Sequence, residues 1–445
     1  MRRNRAALIV GLTAASVGLI YGYDVSNIAG ALLFITDEFH LTTSQQELVM
    51  TAVPVGEIAG ALGGGVLANV IGRQRSMVLV AVGYTVFAAL AAVSVSVPML
   101  LVARLLLGVT IGVSVVVVPV FIAESAHAAW RGSLLVAYQV ATVTGIIAGY
   151  LAAYALADSH NWRVMLGLAA TPAAVVTLLV LRMPDTARWY LSKSRVADAR
   201  TVLRRVEVEP DVEREVTEIL AALNEEHGAV LAEMLRRPYL RATVFLVGLG
   251  FLIQITGINA IVYYSPRLLH DMGFTGNFAL LVVPALIQVA GLIAVVVSLV
   301  LVDRVGRRPI LLTGIAIMIA ADAVLVGAGN FGAAPMIGVA GVLLFTVGFD
   351  FGFGALVWVY AGESLPSRLR SMGSSAMLTA NLIGNALVAA LFLTMLHKVG
   401  SSNTFAALGV FAVVAFVFVY QLAPETNGRQ LEEIRHFWEN GGRWA

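Results

Sequence analysis

The sequence predicts an all-α polytopic membrane protein with twelve transmembrane helices in two six-helix bundles. Three observations carry that prediction. Of 445 residues, 59% are hydrophobic and only 13% charged, with a mean hydropathy of +0.86. Soluble domains carry about 25% charged residues. The charges are also clustered, leaving apolar stretches of roughly 18 residues or more, each able to cross about 30 Å of hydrocarbon as a helix. Finally, the polar signatures between these stretches occur twice, in the same order. Gly72-Arg73-Gln74-Arg75 recurs as Gly306-Arg307-Arg308, and Glu124 with Arg131 recurs at the same spacing as Glu363 with Arg370. Pro184-Asp185-Thr186 with Arg188 recurs as Pro424-Glu425-Thr426 with Arg429.

Backbone amides in lipid must be satisfied within their own segment, which makes the spans helices. A barrel is excluded because the apolar runs are continuous rather than alternating. The expected spans are 7–35, 47–70, 76–96, 99–122, 134–157 and 162–182, then 242–269, 279–302, 310–329, 335–361, 372–397 and 403–422. This divides the chain into a first bundle (1–182), a cytoplasmic helical linker (183–240), a second bundle (241–422) and a cytoplasmic tail (423–445). With the N-terminus inside, all of the 29 Lys and Arg residues fall on the cytoplasmic side except Arg163, Arg267, Lys398 and the intramembrane Arg104. That bias places both termini in the cytoplasm.

The opening Met1-Arg2-Arg3-Asn4-Arg5 also suits a secretory signal peptide. The apolar run behind it is long, contains Asp24, and is needed for an even span count. In the linker, Val212, Val216, Ile219, Leu220 and Leu223 follow helical spacing among charged residues, so an amphipathic helix is expected. The tail around Leu431, Ile434 and Trp438 reads the same way.

There are no cysteines, which excludes disulfides and thiolate metal sites. The seven histidines show no paired ligand spacing, and no Gly-x-x-x-x-Gly-Lys-Ser/Thr loop exists. No metal, cofactor, enzymatic chemistry or nucleic-acid partner is expected. Duplicated charged loops on an apolar scaffold point to a two-half transporter.

The same residues resemble the sugar porter family of the major facilitator superfamily over nearly the whole chain. The resemblance rests on Gly22-Tyr23-Asp24 in span 1, Asp303-Arg304-Val305-Gly306-Arg307-Arg308-Pro309 after span 8, and Pro184-Asp185-Thr186-Ala187-Arg188-Trp189 after span 6. Pro424-Glu425-Thr426-Asn427-Gly428-Arg429 follows span 12. Two positions depart: Asn69 stands where the family has an acid, and Thr186-Ala187 where it has Ser-Pro. The resemblance implies a monomeric plasma-membrane transporter of a monosaccharide or polyol, acting by alternating access with a proton as co-substrate. A facilitated uniporter is the alternative. A drug-efflux antiporter is disfavoured because span 5 has Gly145 and Gly149 without the Gly-Pro signature, and a sugar sensor because the tail is short.

Arginine forks can clamp carboxylates. Arg73, Arg75, Glu124, Arg131, Arg307, Arg308, Glu363 and Arg370 therefore form a candidate cytoplasmic latch between the bundles. A sugar site calls for amides that donate and accept, with an aromatic face for the ring. Gln139, Gln254, Asn259, Trp358, Asn381 and Asn385 lie in apolar spans, where amides otherwise serve as helix–helix glue; the resemblance implies that they bind substrate. Ile253 and Gly291 replace amides usual in the family, so the identity of the sugar does not transfer. Tyr263 and Tyr264 match the family's outer gate.

Asp24 and Arg104 sit roughly 16 and 9 Å deep by helical rise, close enough for the arginine to reach the acid. Pairing is expected because an uncompensated charge there costs about 2.5–3.5 kcal/mol or more. In proton-coupled sugar porters an acid at the Asp24 position titrates against an arginine at the Arg104 position. Three further acids lie within spans: Glu57 as a candidate second titrating group, Asp350 at a position acidic in some relatives, and Asp322, expected to be peripheral or hydrogen-bonded. Gly108, Gly112 and the glycines from Gly60 to Gly65 have the spacing for close helix approach.

Overall fold

The computed structural model describes residues 2–125, 128–206, 209–225, 230–330, 335–429 and 431–444. Among them are twelve helices long and apolar enough to cross a membrane. In the first half they are Ser16–Phe39, Thr43–Ile71, Arg73–Ala92, Val97–Ile122, Ala137–Ala157 and Trp162–Val180. In the second half they are Leu240–Asp271, Phe278–Val305, Arg307–Gly329, Pro335–Glu363, Met372–Val399 and Ser401–Leu422. They are called spans 1 to 12 below.

Span 6 is split at Ala169 into helices Trp162–Leu168 and Ala170–Val180, and span 8 opens with a π-helical turn, Phe278–Val282; two further irregularities, in spans 7 and 10, lie beside candidate site residues. Span 7 breaks into helices Leu240–Ile255 and Ile258–Asp271 at Gly257, whose φ of 102° is left-handed and closed to most side chains. Span 10 passes through a π-helical turn, Asp350–Gly354, between helices Pro335–Phe349 and Ala355–Glu363. Breaks of this kind in membrane helices mark places where the backbone serves a site.

The chain separates into two compact units, one of residues 1–39 and 52–228 and one of residues 40–51 and 229–445. In the first, the core gathers Val17, Ile20, Tyr84, Leu107, Val118 and Phe121. Spans 1 and 5 meet backbone to backbone, because Gly18, Gly22, Gly145 and Gly149 leave no room for a Cβ between them. Spans 2 and 4 meet in the same way: Gly56 lies on Leu105, Gly60 on Val109, Gly108 on Val53 and Gly112 on Glu57. Residue numbers rise together along this seam, so the two helices run parallel. Outward-facing Leu62, Val66 and Val70 give span 2 an apolar surface on its other side.

The linker helices Ala187–Ser192, Val196–Val206 and Glu209–Glu225 also belong to the first unit. The amphipathic expectation holds for four of its five apolar residues, since Val212 and Val216 are buried with Ala199 and Leu203, and Ile219 and Leu223 pack against them. Leu220, on the edge of the stripe, is exposed.

In the second unit, the tail helix Leu431–Glu439 buries Ile434 and Trp438. The Trp438 ring lies 5.8 Å from that of Phe245 in span 7, and the Tyr239 hydroxyl donates to Glu439 at 2.9 Å. The start of span 2 belongs to this unit as well. Glu47 accepts from the Thr394 amide at 2.6 Å and from its hydroxyl at 2.7 Å, while Thr43 meets His397 at 3.2 Å. A carboxylate at a helix entrance normally reads as a solvated group, which is why the sequence offered no hint of this contact.

The glycine seam is testable by paired substitution. Gly60→Ala drives a methyl into the Val109 backbone, and overpacking of this kind costs about 1–3 kcal/mol, so its thermal midpoint in detergent falls. Gly63→Ala meets open space and keeps or raises the midpoint. Equal midpoints for the two variants would contradict the packing described.

Candidate functional site: a buried ion pair and an amide ladder

The first unit holds the ion pair expected from the sequence. The Arg104 Nη1 donates to both carboxylate oxygens of Asp24, at 2.9 and 3.0 Å. Both residues are buried, at 3% and 5% exposure. The neighbouring side chains fix this geometry. Tyr84 of span 3 donates to the Ile20 carbonyl at 3.2 Å, and Asn27, one turn beyond Asp24, donates to the Met165 carbonyl at 2.7 Å. Span 1 is thus pinned above and below Asp24. An ion pair removed from water pays a desolvation cost that good geometry only partly offsets, so it is weak evidence for stability and stronger evidence for a function. Gln139, in span 5 of the same unit, is half-buried.

The second unit brings together four of the expected substrate residues. Gln254 donates to the Asn381 side-chain oxygen at 3.3 Å, and Asn259 donates to that of Asn385 at 2.8 Å. Asn385 in turn donates to the Tyr263 hydroxyl at 3.2 Å. These contacts form a ladder between spans 7 and 11, and the break at Gly257 falls between its two span-7 rungs. The Gln254 side-chain oxygen has no hydrogen-bond partner among the described residues. Trp358 is 46% exposed, an open aromatic face just after the π-helical turn. Of the two tyrosines, Tyr264 is buried, donates to the Ala389 carbonyl at 2.8 Å and stacks on Phe392 at 5.6 Å.

One of the remaining intramembrane acids differs from expectation. Asp322 is neither peripheral nor hydrogen-bonded: it is 2% exposed and both its oxygens lack partners among the described residues. Gly409 of span 12 leaves the space that accommodates it. Asp350 is buried in the π-helical turn, and its carboxylate lies over Gly291, in the volume a side chain at that position would take. The small residue in span 8 and the acid in span 10 are therefore one local arrangement.

The loop residues pair within each half. In the first, Arg73 meets Glu124 at 3.1 Å, and Thr186 donates to Glu124 at 2.6 Å. In the second, Arg307 approaches Glu363 at 3.9 Å, and Thr426 donates to Glu363 at 2.5 Å. The sequence left these partners open between the bundles; the structure engages each glutamate with its own half. The reason is the elbow before each arginine. Gly72 and Gly306 have φ of 104° and 105°, which turns the next helix back on its own bundle. Asp185 then accepts from the Arg73 amide at 3.0 Å, and Glu425 accepts from the Arg307 and Arg308 amides at 3.0 and 3.1 Å. These caps satisfy amides that the helix cannot, a role the sequence reading did not assign to Asp185 or Glu425. Burial pushes the Asp185 carboxyl above its usual range, opposed by the amides of Thr186, Arg73 and Gln74. Arg308 also donates to the Tyr420 carbonyl at 2.5 Å, and Arg370 is half-buried within electrostatic reach of Glu363. Arg75 is exposed, and the side chain of Arg131 lies outside the described residues.

A duplicated, apolar twelve-helix scaffold with an ion pair and an amide ladder inside its spans defines a membrane transporter of the major facilitator fold. The solved proton:xylose symporter XylE, bound to 6-bromo-6-deoxy-D-glucose, has the same fold: the TM-score is 0.83 at 24% identity, covering 97% of this chain and 99% of that one. A sequence profile described as "Sugar (and other) transporter" matches residues 10–438. The galactose-proton symporter of Escherichia coli (strain K12) is 33% identical over 439 residues, covering 97% of this chain and 95% of that protein. The arabinose-proton symporter of the same strain is 31% identical over 440 residues, covering 97% and 93%. The chain belongs to this sugar transporter family.

The elbow caps carry a measurable load. Glu425→Ala leaves the Arg307 and Arg308 amides without their acceptor, a cap loss of about 0.5–2 kcal/mol. Its thermal unfolding midpoint in detergent is expected to fall below that of the wild type. An unchanged midpoint would mean that water replaces the carboxylate at no cost.

Proposed function

We propose that the protein takes up a monosaccharide or polyol together with a proton, by alternating access. The observation that carries this reading is the buried Asp24–Arg104 pair. The relatives named as galactose-proton and arabinose-proton symporters support it.

The chemistry follows from the charge balance. While Asp24 is ionised, Arg104 holds it, and span 1 is tied to span 4 through a bond that both partners need. Breaking a buried pair by neutralising one partner costs about 3–5 kcal/mol when the other is left alone. A proton delivered to Asp24 removes the reason for the tie and frees the guanidinium. Any conformational step that separates spans 1 and 4 is then easier with the proton bound. The proton concentration on each side thereby sets how readily that step is taken.

The amide ladder is the natural sugar contact. Each rung joins two amides that a hydroxyl could replace or extend, and the Gln254 oxygen is an acceptor still open. Trp358 offers the flat apolar face that a sugar ring covers with its C–H groups. Because the amides of the ladder, apart from the Gln254 oxygen, already bond one another, a sugar must replace protein hydrogen bonds with its own. That favours a polyhydroxyl ligand over an apolar or cationic one.

Two measurements test this. In proteoliposomes, Asp24→Asn is expected to lose concentrative uptake driven by a proton gradient while retaining exchange of sugar for sugar. If neither the gradient nor the substitution alters accumulation, the protein is a uniporter. Separately, the purified protein should be stabilised by at least one member of a sugar and polyol panel, since a ligand of the folded state raises apparent stability. Asn259→Ala should weaken that ligand roughly 5- to 150-fold, the loss of about 1–3 kcal/mol expected when a buried amide partner is removed. Stabilisation by cationic amphiphiles alone would point to efflux of such compounds instead.

A further inference from the structure

Glu57 is the buried acid that the mechanism above leaves unused. It lies in span 2 with no solvent exposure, and neither carboxylate oxygen has a hydrogen-bond partner among the described residues. Its setting is defined by the glycine seam. Gly112 of span 4 rests on the Glu57 backbone, and Arg104, Gly108 and Gly112 recur every fourth residue along one stripe of span 4. Side chains on a helix lean toward its N-terminus. In the parallel pair of spans 2 and 4, the Glu57 carboxyl therefore leans from the level of Gly112 toward that of Arg104. The ionisable groups within electrostatic reach of it are Asp24 of span 1, Arg104 of span 4 and the Tyr138 hydroxyl of span 5. Tyr23 and Tyr84 complete the set around Asp24. Tyr84 is committed to the Ile20 carbonyl, whereas the Tyr23 and Tyr138 hydroxyls have no partner.

The pocket thus contains two carboxyls and one guanidinium. Arg104 spends Nη1 on Asp24, and its Nε–H makes no hydrogen bond. With both carboxyls ionised, these three buried groups would hold one negative charge with no counter-ion among the ionisable groups named above. That is far costlier than keeping a proton. With one proton, they are neutral.

We infer that Glu57 is the second carboxyl of a shared-proton site, in which Asp24 and Glu57 hold one proton between them and Arg104 pairs with whichever is ionised. In the arrangement where Arg104 pairs with Asp24, the one the structure shows, Glu57 is the carboxyl assigned the proton. In the other, the Glu57 O–H bond has broken, Asp24 has gained the proton, and Arg104 has turned to Glu57, where Tyr138 can donate as well. The net charge is zero in both, so the proton changes carboxyl without exposing a bare ion. The two groups titrate as a unit. This deepens the symport reading and rests on it for its role in transport.

The test uses the full-length protein in lipid vesicles, without sugar or gradient, followed by infrared spectroscopy at neutral pH. The wild type is expected to show a protonated-carboxyl C=O band that Glu57→Gln removes and that carboxyl-13C glutamate shifts without any substitution. In Asp24→Asn, Arg104 is expected to pair with Glu57, so the same band disappears. A Glu57 band that persists in Asp24→Asn, or none in the wild type, overturns the shared site. Asp24→Asn/Glu57→Gln leaves Arg104 with no counter-ion, and its thermal midpoint is expected to fall by more than the sum of the single changes; additive losses count against the inference. In transport, Glu57→Gln is expected to retain sugar exchange while the pH profile of proton-driven uptake shifts. An unchanged profile refutes the coupling role. The infrared arms need no transport, so a protein that fails the Asp24 test as a symporter can still pass or fail this one.

Discussion

A charge taken out of water must find its counter-charge within the protein, and much of this molecule's polar architecture follows from that constraint. Asp24 and Arg104 meet at 2.9 Å because neither could be buried alone. At the loop ends, Glu124 and Glu363 are each held by an arginine and a threonine of their own half. Glu47 takes both donors of Thr394. Glu57 and Asp322 are the exceptions, buried with no hydrogen-bond partner for either carboxylate among the described residues.

Glycine is what makes these encounters possible. A buried pair needs helices close enough for short bonds, and the seams between spans 1 and 5 and between spans 2 and 4 provide that by removing every intervening Cβ. The single left-handed glycine of span 7 does something different. It interrupts the helix between Gln254 and Asn259, so that both amides reach span 11. At Gly72 and Gly306 the same freedom turns the chain through an elbow whose exposed amides Asp185 and Glu425 then cap.

The two halves share these elbows almost atom for atom, yet their interiors diverge. The first half carries a charged pair at mid-depth; the second carries neutral amides linked in a ladder. Duplication therefore accounts for the scaffold and its loop geometry. The charged pair and the amide ladder occupy positions that the repeat does not reproduce. Neutral amides can exchange hydrogen bonds with a polyhydroxyl ligand at little electrostatic cost, whereas an ion pair responds sharply to a single proton.

Much of this was legible in the sequence, because a bilayer restricts what a chain can be. Continuous apolar runs must be helices, clustered arginines set their boundaries, and an acid and an arginine at similar depth must pair. Those rules are local or depend on depth alone, so the twelve spans, the amphipathic linker helix and the Asp24–Arg104 pair could be read directly. Contacts set by which helix faces which could not. The sequence left Glu124 and Glu363 with several possible arginines, and only the elbow geometry chose the partner in the same half. It assigned no role to Glu47, whose partner lies 347 residues away, and it expected Asp322 to be peripheral or hydrogen-bonded, although Gly409 makes room for it inside. Hydropathy and spacing thus determined how many helices there are and how deep each charge sits. The rotation and close approach of those helices, which depend on side-chain volume across the whole bundle, decided which charges have partners and left Glu57 beside an ion pair with none of its own.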